Sequence, residues 1–345
     1  MKPACSHVAN EGFLQTQTYL MIVEAILVPE GMIRCLVFSK NRAMQVEATL
    51  ESFFRHCADV ENVRTSVLFA CSDEQYRRQY QQLAQEWQGA RLVRFVPQSR
   101  FRQDVFNILN PYGEAPLENS VYKILMRLPP RVVRQTGYPI LAPVGSPFIL
   151  FLVDDTVFTH EFALGELTTC LSLHQDALGF SLRLGRNTTY CYMNDRPQEI
   201  PPFHPLGGNV HKFDWTKGDQ DFGYPFEVSS SVYRLTDVLP ALLRTKFDNP
   251  NLLEGGLSLC KDQFAMVRPF LLCYGQSAAF CNAINLVQTA SPNNRAGSKP
   301  SYSVSELAGL FDAGHRIRIE AYDGLVPTSC HQEIDLVLEK RAASR

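Results

Sequence analysis

Two acids stand side by side in "FILFLVDDTVF", residues 148–158, directly after an unbroken apolar run. Adjacent carboxylates such as Asp154 and Asp155 repel each other, and a bound cation would remove that penalty. Mg²⁺ and Mn²⁺ are hard ions that favour carboxylate oxygens. They typically take one or two of them and draw their other ligands from water and substrate phosphates. The same two acids would also rest comfortably in water as an ordinary strand end, so the pair alone leaves both readings open. Two earlier apolar runs close on polar clusters as well: Ser39, Lys40, Asn41 and Arg42 after "IRCLVF", and Ser72 and Asp73 after "SVLFAC". No GxxxxGK[ST] or GxGxxG pattern follows the first run, and no GxSxG occurs. That argues against a mononucleotide kinase, a Rossmann dehydrogenase and an α/β-hydrolase.

Elements of defined period must bring those clusters together. The runs "IRCLVFS" (33–39), "TSVLFACSD" (65–73), "RLVRFVPQ" (91–98) and "PFILFLVDD" (147–155) are short and β-rich, and read as buried strands. Between them, "AMQVEATLESFFRHC" sets Met44, Leu50, Phe53 and Phe54 at helical spacing. "EQYRRQYQQLAQEWQ" puts Tyr76, Tyr80, Leu83 and Trp87 on one helical face. "FRQDVFNIL" and "ENSVYKILMRLPP" read as helical turns. Residues 32–158 therefore predict alternating strands and helices: an α/β fold with a mainly parallel sheet covered on both faces. Such sheets bind ligands outside the carboxyl ends of their strands, and all three polar clusters lie there.

The second half changes character. "LGFSLRLG" (178–185) reads as a strand, and residues 186–225, rich in Asn, Pro, Gly, Tyr and Asp, as a long functional loop. "YPFEVSSSVYRLTDVLPALL" (224–243) predicts a strand then a helix, capped by Thr236 or Asp237. "NPNLLEGGLSLCKDQFAMV" (249–267) predicts a turn entering a helix, and residues 289–304 a Ser, Pro, Asn and Gly-rich mobile stretch. There is no internal repeat.

The chain has 345 residues, 45% hydrophobic and 20% charged, enough for a sizeable core, and its net charge of −2 offers no basic field for nucleic acid. Its ten cysteines form no CxxC pair and several lie in apolar runs. They read as reduced thiols of a cytoplasmic protein, without the ligand spacings of a zinc site. "YLMIVEAILV" (19–28) is too short and too interrupted by Glu24 for a membrane span. No integral span is expected, and a peripheral membrane contact stays open. Residues 1–31 read as an appendage, with Met32 as an alternative start.

In order and spacing, "LVFSKNRAMQVEATLESFF", "SVLFACSDEQY" and "FILFLVDDTVF" resemble the nucleotide-diphospho-sugar domain of GT-A glycosyltransferases, most of all bacterial family-two-like members. The resemblance covers about residues 32–290 and implies a GT-A-like, Rossmann-type mixed sheet. It divides the chain into an appendage (1–31), a nucleotide-sugar half (32–158), an acceptor half (159–290) and a C-terminal tail (291–345). It implies that Phe38, Ser39, Lys40 and Arg42, with Ser72 and Asp73, hold the nucleoside. Asp154 and Asp155 then match the acids that bind ribose and the diphosphate-bridging Mn²⁺ or Mg²⁺. Here the motif runs Asp-Asp-Thr rather than Asp-x-Asp; Asp155 is the expected metal ligand and Asp154 its helper.

The implied reaction moves a sugar from a nucleotide-diphospho-sugar to an acceptor hydroxyl in glycan or polysaccharide synthesis. A departing diphosphate needs a cation or an Arg/Lys clamp, and inversion needs a carboxylate base. Glu254, at a helix start, is the expected base, with Asp219 and Asp221 as rivals and a first-turn acid favoured by the helix dipole as the plain alternative. Trp215, Phe222 and Tyr224 either stack on a sugar face or fill a structured loop. His315 either completes a metal shell or is structural, and Asn285 and Gln288 either line the pocket or cap a strand. Two other functions share the scaffold: a non-catalytic nucleotide-sugar-binding protein, and a sugar-phosphate nucleotidylyltransferase, whose Gly-rich basic loop "SKNRAMQ" lacks.

Overall fold

The computed structural model describes residues 33–87, 93–109, 148–288 and 294–341. The first half runs β1 (Ile33–Lys40), α1 (Ala43–His56), β2 (Val63–Ala70), α2 (Glu74–Glu86), β3 (Val93–Pro97), α3 (Phe101–Leu109) and β4 (Phe148–Val153). These four strands lie side by side in the order β3, β2, β1, β4, all parallel. The appendage, Met32 and the helical turns expected in "ENSVYKILMRLPP" fall outside the described residues.

The second half extends the same sheet. Its elements are β5 (Thr156–Phe158), α4 (Leu164–Leu173), β6 (Ala177–Ser181), β7 (Tyr190–Cys191), β8 (Arg196–Pro197), β9 (His204–Gly207) and β10 (Val210–Asp214). They continue with β11 (Ser231–Arg234), α5 (Leu235–Arg244), α6 (Pro250–Ser258), α7 (Lys261–Ala265), β12 (Phe270–Tyr274), β13 (Ala279–Cys281), α8 (Val304–Asp312), β14 (His315–Ile317) and β15 (Leu338–Lys340). Beyond β4 the nine-stranded sheet continues β11, β6, β12, β10, β9. Only β11 and β10 run against the other strands, so the sheet is mixed and mainly parallel. The stretch 186–225, expected as one irregular loop, supplies the β7/β8 ribbon and the antiparallel β9/β10 pair at the sheet edge.

Strand β4 shows why the sheet is covered on both faces. Leu150 and Leu152 point into one core with Val37, Phe53, Phe158 and Phe180. Ile149 and Phe151 point into the other with Phe38, Phe101, Tyr233 and Leu253. A period of two with apolar residues at every position can be satisfied only between two layers.

The stretch expected as a tail is part of that covering. Leu307 and Phe311 of α8 and Ile317 of β14 join the first core. Gln79 of α2 donates to the Ala308 carbonyl at 2.8 Å, and Arg341 pairs with Glu47 of α1 at 2.7 Å. Packed between the sheet and this segment, α1 is buried nearly all round, polar Thr49 and Ser52 included. The expected cap of α5 also differs. Arg234 occupies the N-cap position without a side-chain cap bond, and Asp237 instead pairs with Arg268 at 2.8 Å and Arg234 at 3.6 Å. Two basic partners hold a buried acid more strongly than helix amides do.

Candidate active site at the strand ends

The three polar clusters meet where β1, β2 and β4 end. Asn41 adopts φ 57°, a left-handed turn that asparagine tolerates, and its side chain exchanges hydrogen bonds with Ser72 at 2.9 and 3.0 Å. That turn starts α1 with Arg42 facing the acids. Arg42 Nη1 lies 2.8 Å from Asp154 Oδ1 and 3.2 Å from Asp155 Oδ2, while Nη2 donates 2.5 Å to the Asn285 carbonyl. Asp154 Oδ2 accepts from Ser39 Oγ at 2.8 Å and from the Lys40 amide at 3.1 Å. Ser39 also bonds to the Tyr80 hydroxyl, which accepts the Arg42 amide at 3.1 Å.

Asp154 is 4% exposed and Arg42 7%, so this is a buried ion pair with its remaining polar atoms largely bonded. Burial pushes the Asp155 carboxyl upward, Asp154 adds to the rise, and Arg42 opposes it. The repulsion that made a bound cation attractive on sequence grounds is thus already relieved by a resident guanidinium. Asp154 has both oxygens engaged. Asp155, its side chain 17% exposed, meets Arg42 as its one side-chain partner among the described residues.

Not every expected residue reaches this edge. Phe38 is buried between Phe101, 5.6 Å away, and Phe151, 6.1 Å away, because strand alternation turns it into the core. It is a packing residue rather than a nucleoside contact. Lys40 and Ser72 are exposed at the edge. Asp73 caps α2, accepting the Tyr76 amide at 3.2 Å. His315 bonds through Nδ1 to the Leu310 carbonyl at 3.3 Å, within the α8/β14 unit. Among the described residues no group of three or more His, Cys, Asp and Glu is placed to hold a metal ion, and His315 stays within its own unit. Asn285 bridges inward, donating to the Tyr302 carbonyl at 2.7 Å and to Gln45 at 3.2 Å.

A second polar cluster lies on the β4–β11–β6 side. Glu254 sits inside α6, past the Asn249 cap rather than at the helix start, and its Oε2 accepts the Val228 amide at 3.3 Å. Burial raises its carboxyl, Arg183 opposes the rise, and Glu227 adds to it. Arg183 and Glu227, buried at 4% and 3% exposure, pair at 3.7 Å. Neither was singled out from the sequence. The signal was present in both: Arg183 in "SLRLG" is a charge closing an apolar run, and Glu227 is a lone acid in "PFEVSSS". Asp221 faces Arg183, whereas Asp219 lies in a surface turn, 3.1 Å from Arg196. Trp215 and Phe222 are buried, the indole donating 2.8 Å to the Arg268 carbonyl, so these two are core rather than sugar platforms. Tyr224 is half-buried beside Glu254. A separate cleft of about 400 Å³, lined by His204, Asp214, Lys217 and Phe270, opens at the opposite edge of the sheet, where β12 begins.

No protein-family model matches the sequence. In an alignment of 319 residues that covers 85% of this chain, it is 25% identical to the bifunctional glycosyltransferase pgtA of Dictyostelium discoideum. The chain is similar to a glycosyltransferase. The resemblance read from the three strand ends thus has a counterpart found independently. The chain spans 37% of that relative's length. Among solved structures, TarS of S. aureus in complex with UDP superposes at a TM-score of 0.41, with 11% identity over 72% of this chain and 59% of TarS. The mannosyltransferase PcManGT of Pyrobaculum calidifontis, in complex with GDP-Man and Mn²⁺, gives 0.33, with 11% identity over 76% of this chain and 63% of that one. Mouse xyloside xylosyltransferase 1 gives 0.28, with 13% identity over 70% and 77%.

Proposed function

We propose that this chain is a glycosyltransferase that moves a sugar from a nucleotide-diphospho-sugar to an acceptor hydroxyl in glycan or polysaccharide synthesis. The observation that carries the proposal is Asp155, a half-free carboxylate at the shared carboxyl edge of parallel strands, in a chain similar to a glycosyltransferase. Open α/β sheets bind ligands at that edge. A cytoplasmic location belongs to the same proposal; no described helix is long and apolar enough to cross a membrane.

The acids fit a divalent ion in one way only. Asp154 is saturated by Arg42, Ser39 and the Lys40 amide, so it serves as a structural anchor. Asp155 offers one carboxylate, which suits Mg²⁺ or Mn²⁺ drawing its other ligands from water and a diphosphate. Such an ion, when bound, supplies positive charge to the departing nucleoside diphosphate. Ser39, Lys40 and Ser72 lie at the edge where a nucleoside would rest, and Arg42 fixes the acids.

Glu254 is the base of this proposal. The acceptor oxygen attacks the anomeric carbon and the carbon–phosphate-oxygen bond breaks. The nucleoside diphosphate leaves with the bonding electrons, the acceptor proton passes to Glu254, and attack from the face opposite the leaving group inverts the anomeric centre. Its raised proton affinity suits that task.

The test is release of free sugar from UDP- and GDP-sugars, with Mn²⁺ and with EDTA. Metal-dependent turnover that Asp155→Asn lowers by about 100-fold or more is expected, the scale of removing a charge-stabilising group. Donor binding by thermal shift with no turnover across an acceptor panel would make the chain a non-catalytic nucleotide-sugar-binding protein instead. Arg42, already neutralising the acids, is the observation that favours this second reading.

A further inference from the structure

Residues 227–230 form the turn that leads into β11, and their amides are held in an unusual way. The Val228 amide donates to Glu254 Oε2 at 3.3 Å. The Ser229 amide donates to Glu227 Oε2, and the Ser230 amide to both Glu227 oxygens at 3.1 and 3.2 Å. Three consecutive amides are therefore shared between two carboxylates, that of the buried Glu227 in the turn itself and that of the half-buried Glu254 in α6.

The turn is pinned from its other side. The Tyr233 hydroxyl accepts the Glu227 amide at 2.9 Å and donates to the Pro225 and Glu227 carbonyls at 3.1 Å. The Ser230 carbonyl accepts the Leu182 amide at 3.1 Å. That bond places Arg183, the next residue, against the turn. Its Nε lies 3.7 Å from Glu227 Oε2, fully buried and without a hydrogen-bond partner. At that distance Nε acts on Glu227 through its charge rather than through a hydrogen bond.

We propose that Arg183 and Glu227 are positioning residues for Glu254: the two carboxylates clamp the 228–230 amides from both sides, and the guanidinium sets the charge balance of the pair. The proposal rests on the reading of Glu254 as the base, and it adds how that base is held and poised. The groups facing Glu254 are Arg183, Glu227 and the Tyr224 hydroxyl, and Asp221 faces Arg183. The signs follow from their charges. Glu227 makes a proton more welcome on Glu254, and Arg183 makes it less so.

The experiment titrates the full chain, labelled with carboxyl ¹³C glutamate. The Glu254 resonance is assigned by its loss in Glu254→Gln. Glu227→Gln is expected to move the Glu254 midpoint to lower pH, and Arg183→Gln to higher pH. Arg183→Lys, which keeps the charge, is expected to leave it near the parent value and stands in where Arg183→Gln does not fold. Midpoints that stay still, or move the same way in Glu227→Gln and Arg183→Gln, overturn the proposal. So does a midpoint in Arg183→Lys that moves as far as, or further than, the one in Glu227→Gln. A purely structural role would not give shifts of opposite sign.

Because the readout needs no substrate, it separates this proposal from the reading of the base. Glu254→Gln with full sugar release from the donor would sink the base and leave the coupling standing. If both hold, the acid limb of the pH–rate profile moves with the titration, down in Glu227→Gln and up in Arg183→Gln.

Discussion

At the scale of single residues, the centre of the molecule is a buried charge balance. Among the described residues, Arg42 is the cation that pairs with both Asp154 and Asp155. Removing it leaves a buried carboxylate without its partner, which costs about 3–5 kcal/mol. Arg42→Met is expected to lower the urea-unfolding free energy by that amount. A loss within the ~0.5 kcal/mol typical of surface changes would mean that the acids are solvated. His331 gives a pH signature. Burial, with Arg183 adding to it, pushes its imidazole down to about 3. The unfolded chain protonates near the ordinary value of about 6.5, so between those values the unfolded state binds the extra proton. This contribution to stability is therefore complete above about 6.5 and is lost as pH falls towards about 3. His331→Gln is expected to flatten the fall in unfolding free energy between pH 7 and pH 4, and an unchanged slope would refute the assignment.

At the scale of elements, side-chain caps fix where α2 and α6 begin. Asp73 and Asn249 cap α2 and α6, each accepting a backbone amide three residues on. Asp73→Ala is expected to cost about 1 kcal/mol, read as a lowered denaturation midpoint, and to leave sugar release unchanged if its role is confined to the cap. Gly185, two residues after Arg183, has another constraint. A Cβ there would lie 2.5 Å from the Ser277 amide nitrogen, so the strand exit carrying Arg183 has no room for a side chain. Gly185→Ala is expected to destabilise the protein and to disturb the Glu254 titration, because it displaces the segment that bears the guanidinium. A stable variant with the parent midpoint would show that the exit can yield.

At the scale of the whole molecule, the C-terminal stretch closes the fold. Leu307, Phe311, Ile317 and Tyr322 complete the core that α1 and α2 begin. Arg341 reaches back to Glu47 and Glu86 at 2.7 and 2.8 Å. A chain ending at residue 299 is expected to lose its cooperative thermal transition, because α1 would expose the face now covered. A sharp transition near the parent Tm would show that the sheet stands without this cover.

Local pattern was enough to place the elements that build the edge. Short apolar, β-rich runs predicted β1, β2, β3, β4 and β6, and helical spacing predicted α1 and α2. Their alternation placed the polar clusters at one edge. It could not tell which face a strand residue takes, so Phe38 was expected at the site although the pleat turns it inward. Nor could it see partners that are distant in the chain. Arg42 meets Asp154 across 112 residues and Asn285 across 243. The Asp-Asp motif therefore looked uncompensated until the fold supplied its guanidinium. Glu227 and Arg183 escaped notice because each is an unremarkable charge until β6 and β11 pair and bring them together. Patterning depends on near neighbours, whereas charge compensation and catalytic poise depend on groups that only the folded sheet brings within a few ångströms.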